Sequence, residues 1–284
     1  MTLQAGENTL EAQLARVLLK DILQHGFFSP TTFVNSYVQF MMSPNSHNDT
    51  YASSCHRIFF ANMLDGKPLS ECPGNDNHNV DTIDALTLST PLIVLLLDLD
   101  NVSQLDIAMN PNTTPPPPPS RAVQEQVFHL MQSTRRTQSV QPYLEVYTTL
   151  LTQVLVGGAS VLLPAIEAAG HSLFGNDYSV KAQIAAAEQD HAADPMVACY
   201  IDSSFPALLF YAYKYGESLE AGVLGSANGG GENVARGSLL GALLGAAYGF
   251  EQGVPLWAKT GLHEGEQILQ EIDRFLELVL SSKH

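Results

Sequence analysis

Apolar residues recur every three or four positions through most of the chain, which is the spacing of amphipathic α-helices. The first such segment, residues 10–24, places Leu10 and Leu14 on one face with charged residues between them. Ser29 and Pro30 then form a typical helix start for a segment ending near residue 42. The same spacing predicts further helices over residues 50–64, 121–134, 140–157, 161–169, 179–192, 196–215 and 269–279.

Three segments depart from this simple pattern. Residues 81–99 are apolar enough to fit either a strand or a buried helix, and their length favours a helix. Residues 110–120 contain five successive prolines, which indicates an exposed loop, with a ligand for a proline-binding domain as the alternative. Glycine recurs every fourth residue from Gly237 to Gly249, which predicts a helix face that lets another backbone approach closely. We therefore expect residues 1–284 to form one all-α domain, a compact multi-helix bundle.

Composition narrows the classes of function. The chain has 13 lysines and arginines against 29 aspartates and glutamates, a formal charge of −16. Such a surface repels phosphate backbones, and the basic pair Arg135 and Arg136 is too small to outweigh it, so we expect no nucleic-acid partner. No signal-peptide pattern opens the chain, and no apolar stretch reaches the roughly 20 residues of a membrane span. With three scattered cysteines, this predicts a cytoplasmic protein without a membrane partner.

Two similar strings carry the candidate chemistry. A Gly-Glu-Asn string at residues 6–8 and another at residues 231–233 each precede an apolar helix. Taken singly, each glutamate is typical of helix capping, because free backbone amides stabilise a carboxylate there. A glycine-rich backbone before a helix also lets an anion such as a pyrophosphate approach. Taken together, two such carboxylates are suited to a hard cation with oxygen ligands.

The sequence resembles the ADP-ribosylglycohydrolase family, which also includes some lens crystallins. The resemblance covers most of the chain and is anchored at residues 5–10, 46–51, 56–62, 199–202 and 229–246. The last of these is the most specific, because Gly-Gly-Gly-Glu-Asn and a Leu-Leu-Gly-Ala repeat occupy the place of the family's Gly-Gly-Asp-Thr-Asp-Thr loop and small-residue helix. The resemblance implies the family's all-helical bundle.

It also implies a hydrolase that binds ADP-ribose or an ADP-ribosylated substrate and cleaves its glycosidic bond with metal-activated water. The family's early Thr-Asp-Asp-Thr motif and late Asp-x-Asp-Ser/Thr motif fall on Gly6, Glu7, Asn8, Thr9 and on Glu232, Asn233, Val234, Ala235. On this basis the expected catalytic residues are Glu7 and Glu232, and the expected metal ligands are Glu7, Asn8, Thr9 and Glu232. The expected ligand-binding residues are Asn48, Asp49, Thr50, Asn228, Gly229, Gly230, Gly231 and Asn233.

The departures from the family pattern change the number of metal ions that we expect the site to hold. Glu-Asn replaces the aspartate pairs, as in a variant branch of the family, and Val234 has no ligand atom. Two glutamates suit the charge of two Mg²⁺ ions poorly, so we expect one Mg²⁺ or none. A catalytically silent member that binds a nucleotide or acts as a scaffold is the main alternative. Hydrolysis of an unrelated glycosidic or amide bond is a third interpretation.

The start of the chain, His56 and the pair Asn48 and Asp49 lead to three further expectations. The chain begins almost at the early motif, so we expect the family's usual N-terminal segment to be missing, and an exposed apolar seam would then favour a homo-oligomer. His56, on the apolar face of the predicted helix 50–64, is typical of a core histidine. Asn48 or Asp49 either caps that helix or contacts a ligand.

Overall fold

The computed structural model describes residues 3–97 and 115–281, and the elements within them are helical apart from one isolated bridge between Thr82 and Tyr200. This confirms the predicted all-α class. Short 3₁₀ helices span Leu69–Glu71 and Ile83–Leu86. The α-helices are α1 (Leu10–His25), α2 (Pro30–Met42), α3 (Ser54–Leu64), α4 (Ser89–Leu96), α5 (Arg121–Gln132), α6 (Gln141–Gly157), α7 (Ala159–Phe174), α8 (Val180–Gln189), α9 (Ile201–Lys214), α10 (Leu219–Gly229), α11 (Val234–Tyr248), α12 (Phe250–Gly253), α13 (Leu256–Gly261) and α14 (Gly265–Ser281).

One hydrophobic core joins these helices. The predicted apolar face of α1 is buried, with Leu10, Leu14 and Leu18 at most 1% exposed. Helix α11 lies in the middle and packs against α6, α7, α9 and α10. Tyr147 on α6 donates a hydrogen bond to the carbonyl oxygen of Leu239 at 3.1 Å, which fixes α6 against α11. Burial of these apolar faces is what holds the ends of α1 and α11 in place.

Several predicted boundaries move for identifiable reasons. Residues 50–53 are not helical, since the Asp49 carboxylate accepts the backbone N–H of Tyr51 in a local turn at 3.0 Å. Predicted helix 81–99 is divided into the 3₁₀ helix Ile83–Leu86 and α4, and its residues 98 and 99 lie outside the described residues. Pro91 has no N–H for the carbonyl oxygen of Thr87, so an uninterrupted helix would lose that bond.

The proline-rich segment is a loop where the structure describes it. Residues 115–120 have no regular secondary structure, and residues 110–114 lie outside the described range. Gln153 on α6 donates a hydrogen bond to the carbonyl oxygen of Pro116 at 2.5 Å. The loop ends at Ser120, whose hydroxyl accepts the N–H of Val123 and caps α5.

Helix α10 is absent from the expectations above, which treated residues 229–231 as a loop. Its start carries a capping signal, because the Ser218 hydroxyl accepts the N–H of Ala221 at 3.1 Å. Gly222 and Gly225 weaken its helix propensity but allow close packing. A methyl group at Gly222 would lie 2.2 Å from Leu244 Cδ1, and one at Gly225 would lie 2.7 Å from the Tyr215 ring.

The prediction for the glycine repeat on α11 is wrong. A methyl group at Gly237 or Gly241 would meet no atom of the described residues within 4 Å, and one at Gly245 would lie 3.8 Å from Leu219 Cδ1. The buried face of α11 is instead formed by Ala235, Arg236, Leu239, Leu240, Leu243 and Leu244. The large apolar side chains occupy the contact face, and the glycines fall on the other side.

No helix in residues 3–97 or 115–281 is long and apolar enough to cross a membrane.

Candidate functional site

A cavity of about 740 Å³ lies where the starts of four helices meet. Its wall includes Thr9 before α1, Ser53 before α3, Tyr200 before α9 and Asn233 before α11. The first turn of a helix has backbone N–H groups without intrahelical partners and carries the positive end of the helix dipole, which stabilises negative charge nearby. The cavity is also lined by four carboxylates, from Glu11, Asp49, Asp84 and Glu232.

The late string forms one edge of this cavity with a tightly held backbone. Gly231 has φ of +72°, and a methyl group on it would lie 2.3 Å from the carbonyl oxygen of Val197, so glycine is required there. The next N–H, that of Glu232, donates to the same carbonyl oxygen at 2.8 Å. The Glu232 carboxylate turns back to α11, where Oε1 accepts the N–H of Ala235 at 2.9 Å. Capping therefore uses one oxygen of Glu232, a residue that lines the cavity.

Beneath the late string lies a buried arginine that the sequence analysis missed. Arg236 is 0% exposed, and its guanidinium stacks on the Tyr211 ring with 4.6 Å between Cζ and the ring centroid. Its Nη2 donates to the carbonyl oxygen of Gly230 at 2.8 Å and to Asn233 Oδ1 at 2.9 Å. Nε donates to the Ser226 hydroxyl at 2.8 Å. Arg236 thereby ties the end of α10 to the start of α11 and fixes the loop between them.

The early string adopts a different arrangement. The Glu7 carboxylate accepts the N–H of Gln4 at 2.7 Å and Nδ2 of Asn48 at 3.0 Å. These two hydrogen bonds lower the pKa of Glu7. Glu7, Asn8 and Asn48 line a separate cavity of about 450 Å³, which shares no lining residue with the 740 Å³ cavity.

Asp49 contributes to the larger cavity by capping α1. Its Oδ2 accepts the N–H of Leu10, the first residue of α1, at 3.0 Å. The neighbouring Thr9 side chain makes no capping hydrogen bond. Asp49 is therefore a cap, as one of the two interpretations expected, but it caps the first helix and not the helix that follows it in sequence.

Asp84 is paired with a buried cation. Arg135 Nη2 lies 2.8 Å from Asp84 Oδ2, and both side chains are largely buried. Burial alone would raise the pKa of Asp84, but the adjacent guanidinium outweighs it and lowers the pKa to about 2. Thr82 also donates to this carboxylate. Asp84 is thus ionised at all ordinary pH values and its charge is balanced by Arg135.

Glu11 belongs to a buried chain of hydrogen bonds at the base of α3. Its Oε1 accepts from the Ser53 hydroxyl at 3.0 Å and lies 3.3 Å from His56 Nε2, while His56 Nδ1 lies 2.8 Å from the Tyr37 hydroxyl. Burial lowers the pKa of His56, but the neighbouring Cys55 and Glu11 outweigh burial and raise it well above its usual range. At 1% exposed, His56 is a core histidine, as expected.

The structure brings together part of the expected site. Thr9, Asp49, Gly231, Glu232 and Asn233 line the 740 Å³ cavity. Glu7, Asn8 and Asn48 line the 450 Å³ cavity. The remaining expected residues line neither: Thr50 and Asn228 are exposed, Gly229 ends α10 under the Tyr211 hydroxyl, and Gly230 offers its carbonyl oxygen to Arg236.

The missed residues carried signals in the sequence. Asp84 interrupts an apolar segment, and a carboxylate in such a place needs a buried partner. Arg236 precedes Leu239 and Leu240 by three and four positions, which places its guanidinium on the apolar face of α11. Neither signal identifies the partner: Arg135 lies 51 positions from Asp84, and the oxygens that Arg236 binds, in Ser226, Gly230 and Asn233, belong to a loop and a helix end that spacing along the chain does not place.

The donor set does not fit one Mg²⁺ held jointly by Glu7 and Glu232, because the two side chains line separate cavities. Within residues 3–97 and 115–281, no three His, Cys, Asp or Glu side chains are grouped as a metal site would require. The carboxylates of the larger cavity are instead engaged by Arg135, by His56 and by helix N–H groups. Mg²⁺ binding stays a prediction of the sequence.

Comparison with known proteins identifies the family of this chain. A solved structure described as an ADP-ribosylglycohydrolase-related protein complex is similar in fold, with a TM-score of 0.64 and 17% sequence identity over 96% of this chain and 82% of that one. No curated protein sequence matches the chain. The profile of the family described as ADP-ribosylglycohydrolase matches residues 1–283. The chain therefore belongs to the ADP-ribosylglycohydrolase family.

Proposed function

We propose that the chain hydrolyses the glycosidic bond of an ADP-ribosyl group bound in the 740 Å³ cavity. The observation that carries the proposal is the meeting of four helix starts and the late string around one cavity large enough for a nucleotide-sized ligand. Family membership supports a hydrolase of this class. Fold alone would not, since one fold hosts many chemistries.

The diphosphate would lie against the helix starts and the Gly231 backbone, where N–H groups can approach without a side chain in between. Among the described residues that line this cavity, Arg57 is the one lysine or arginine, and its Nη2 donates to the Ser54 hydroxyl at 2.8 Å. The rings of Tyr51 and Tyr200 also line the cavity and offer apolar faces to a base or a ribose.

Glu232 is the residue we assign to proton transfer. Its Oε1 is engaged with the N–H of Ala235, so the carboxylate is held rigidly while Oε2 is left for water. A carboxylate in this position would take a proton from the water that attacks the anomeric carbon. Asp49 and Asp84 are less suited, because backbone N–H groups occupy the first and Arg135 the second.

The test measures release of ADP-ribose by mass spectrometry from arginine-linked and serine-linked ADP-ribosyl substrates, in which the bond to be broken is glycosidic. Glu232→Gln should lower turnover at least about 100-fold, because general-base catalysis contributes on that order. Glu188→Gln, an exposed change on α8, is the matched control and should keep full activity. Unchanged turnover in Glu232→Gln would exclude Glu232 as the base.

The second candidate function is that of a catalytically silent family member that binds a nucleotide. It is favoured by Val234, which is 38% exposed and lines the 740 Å³ cavity. The family has an acidic residue at this position. It predicts that ADP-ribose raises the melting temperature of the wild-type protein while no substrate is cleaved under any divalent metal. Reproducible release of ADP-ribose by the wild type, lost in Glu232→Gln, would dispose of this candidate.

A further inference from the structure

A third cavity, of about 350 Å³, lies between the start of α2, the 3₁₀ helix Leu69–Glu71 and the end of α5. None of its lining residues lines the two cavities described above. Its volume falls in the range of sites for small organic ligands. It is therefore a candidate binding site separate from the 740 Å³ and 450 Å³ cavities.

Part of the lining of this cavity is apolar. It is formed by Pro30 and Val34 from α2 and by Leu69 and Pro73 from the segment around the 3₁₀ helix. Pro73 is buried, and the proline rings give this wall a rigid shape. Such a wall removes apolar surface of a ligand from water, which a bare inorganic ion could not exploit.

The ionisable part of the lining is basic. Among the residues that the structure describes, Arg136 and His129 are the ionisable ones that line the cavity, and no aspartate or glutamate does. This is an exception in a chain with 29 acidic residues against 13 lysines and arginines. The local field therefore favours an anion, although the protein as a whole repels anions.

Arg136 is held in place before any ligand arrives. Its backbone N–H donates to the carbonyl oxygen of Gly74 at 2.9 Å, and its Nη2 donates to the carbonyl oxygen of Ser70 at 2.8 Å. A guanidinium has five N–H donors in a planar fork that matches a carboxylate, so this contact leaves donors for a ligand. Pre-ordering of the side chain lowers the entropy lost on binding.

The basic pair of the sequence is thus divided between two tasks. Arg135 turns inward to balance Asp84 beside the 740 Å³ cavity, and Arg136 reaches the 350 Å³ cavity. We propose that the 350 Å³ cavity binds a small organic carboxylate, with Arg136 pairing with the carboxylate and the wall of Pro30, Val34, Leu69 and Pro73 enclosing the apolar body.

Benzoate is the probe, since it combines one carboxylate with a compact apolar ring. Titration followed by protein NMR and by melting temperature should show saturable binding with a dissociation constant of about 1 mM or below, as expected for a ligand of this size. Benzamide, which has the same shape without the charge, and inorganic phosphate, which has charge without the apolar body, should each bind at least about tenfold more weakly.

Two variants of lining residues, Arg136→Gln and Asn35→Asp, test whether benzoate binds in this cavity, and two further variants serve as controls. Arg136→Gln should weaken benzoate at least about tenfold, whereas Arg121→Gln, at an exposed arginine outside the cavity, should leave it unchanged. Asn35→Asp keeps the shape of a lining side chain and adds a negative charge, so it too should weaken benzoate. Glu232→Gln should bind benzoate as the wild type does, which separates this proposal from the proposed hydrolysis.

Four results would overturn the proposal. The first three are no response to benzoate up to about 20 mM, equal binding of benzamide, and equal binding by Arg136→Gln and the wild type. Arg136 and Asn35 are both exposed, so these variants are expected to fold. Benzoate binding that survives Asn35→Asp undiminished would place the ligand elsewhere and equally reject this cavity.

Discussion

The early and late Gly-Glu-Asn strings look alike in sequence and differ in almost every structural respect. The late string lies over a buried arginine and lines the 740 Å³ cavity, whereas the early string rests on the backbone of residues 261–263 and lines the 450 Å³ cavity. Both need their glycine: a methyl group at Gly6 would lie 1.9 Å from the carbonyl oxygen of Gly261. A shared string therefore indicates a shared positive φ at its glycine, and the chemistry of its glutamate depends on what lies beneath it.

The largest expected effect is a contrast in activity between the two glutamates. Glu7→Gln should keep turnover within about threefold of the wild type, while Glu232→Gln should lose at least about 100-fold, because only Glu232 lines the proposed reaction cavity. ADP-ribose release under identical conditions measures both. A comparable loss in the two variants would show that both strings serve one site, as the sequence predicted, and would break the comparison.

The next effect concerns the support beneath the late string. Arg236→Met should lower the free energy of unfolding by about 2–4 kcal/mol, since it leaves buried oxygens of Ser226 and Gly230 without their donor. Urea unfolding measures it. Arg121→Met, at a side chain 92% exposed, is the control and should cost less than about 0.5 kcal/mol. A small loss in Arg236→Met would mean that the loop holds its shape without the guanidinium.

The smallest effect is a gain in stability from the glycine repeat on α11. Gly237→Ala should stabilise the protein by about 0.5–1 kcal/mol, because the helix accepts alanine there and the added methyl group meets open space. Gly222→Ala on α10 should destabilise instead, since its methyl group would collide with Leu244. Paired urea unfolding curves measure both. Destabilisation by Gly237→Ala would instead support the close helix crossing that the sequence predicted.

The sequence predicts the fold where apolar spacing decides the outcome, as in α1, α2 and α6, whose buried faces follow the three-to-four spacing. It misses α10, whose Gly222 and Gly225 lower the helix propensity, although the absence of a side chain at Gly222 lets Leu244 pack closely against the helix. The glycine repeat on α11 led to a wrong prediction of a close helix contact, because the spacing of the glycines does not indicate which face of the helix is buried.

The candidate site likewise contains residues that the sequence predicts and contacts that it does not. Gly231, Glu232 and Asn233 are predictable, because a local string and a family resemblance identify them. The pairing of Asp84 with Arg135 joins residues 51 positions apart, and no local pattern encodes such a contact. The separation of Glu7 from Glu232 depends on how the N-terminal segment packs against residues 261–263, which spacing along the chain does not specify.

The cap that Asp49 supplies to α1 has a consequence for folding order. Donor and acceptor are 39 residues apart, so the cap forms only after the chain has closed a loop containing α2. Loop closure costs entropy before the capping bond returns any free energy. An isolated peptide of residues 10–25 would lack this cap and fray at its first turn. The wall of the 740 Å³ cavity is thus completed late, when the N-terminal helices have already docked.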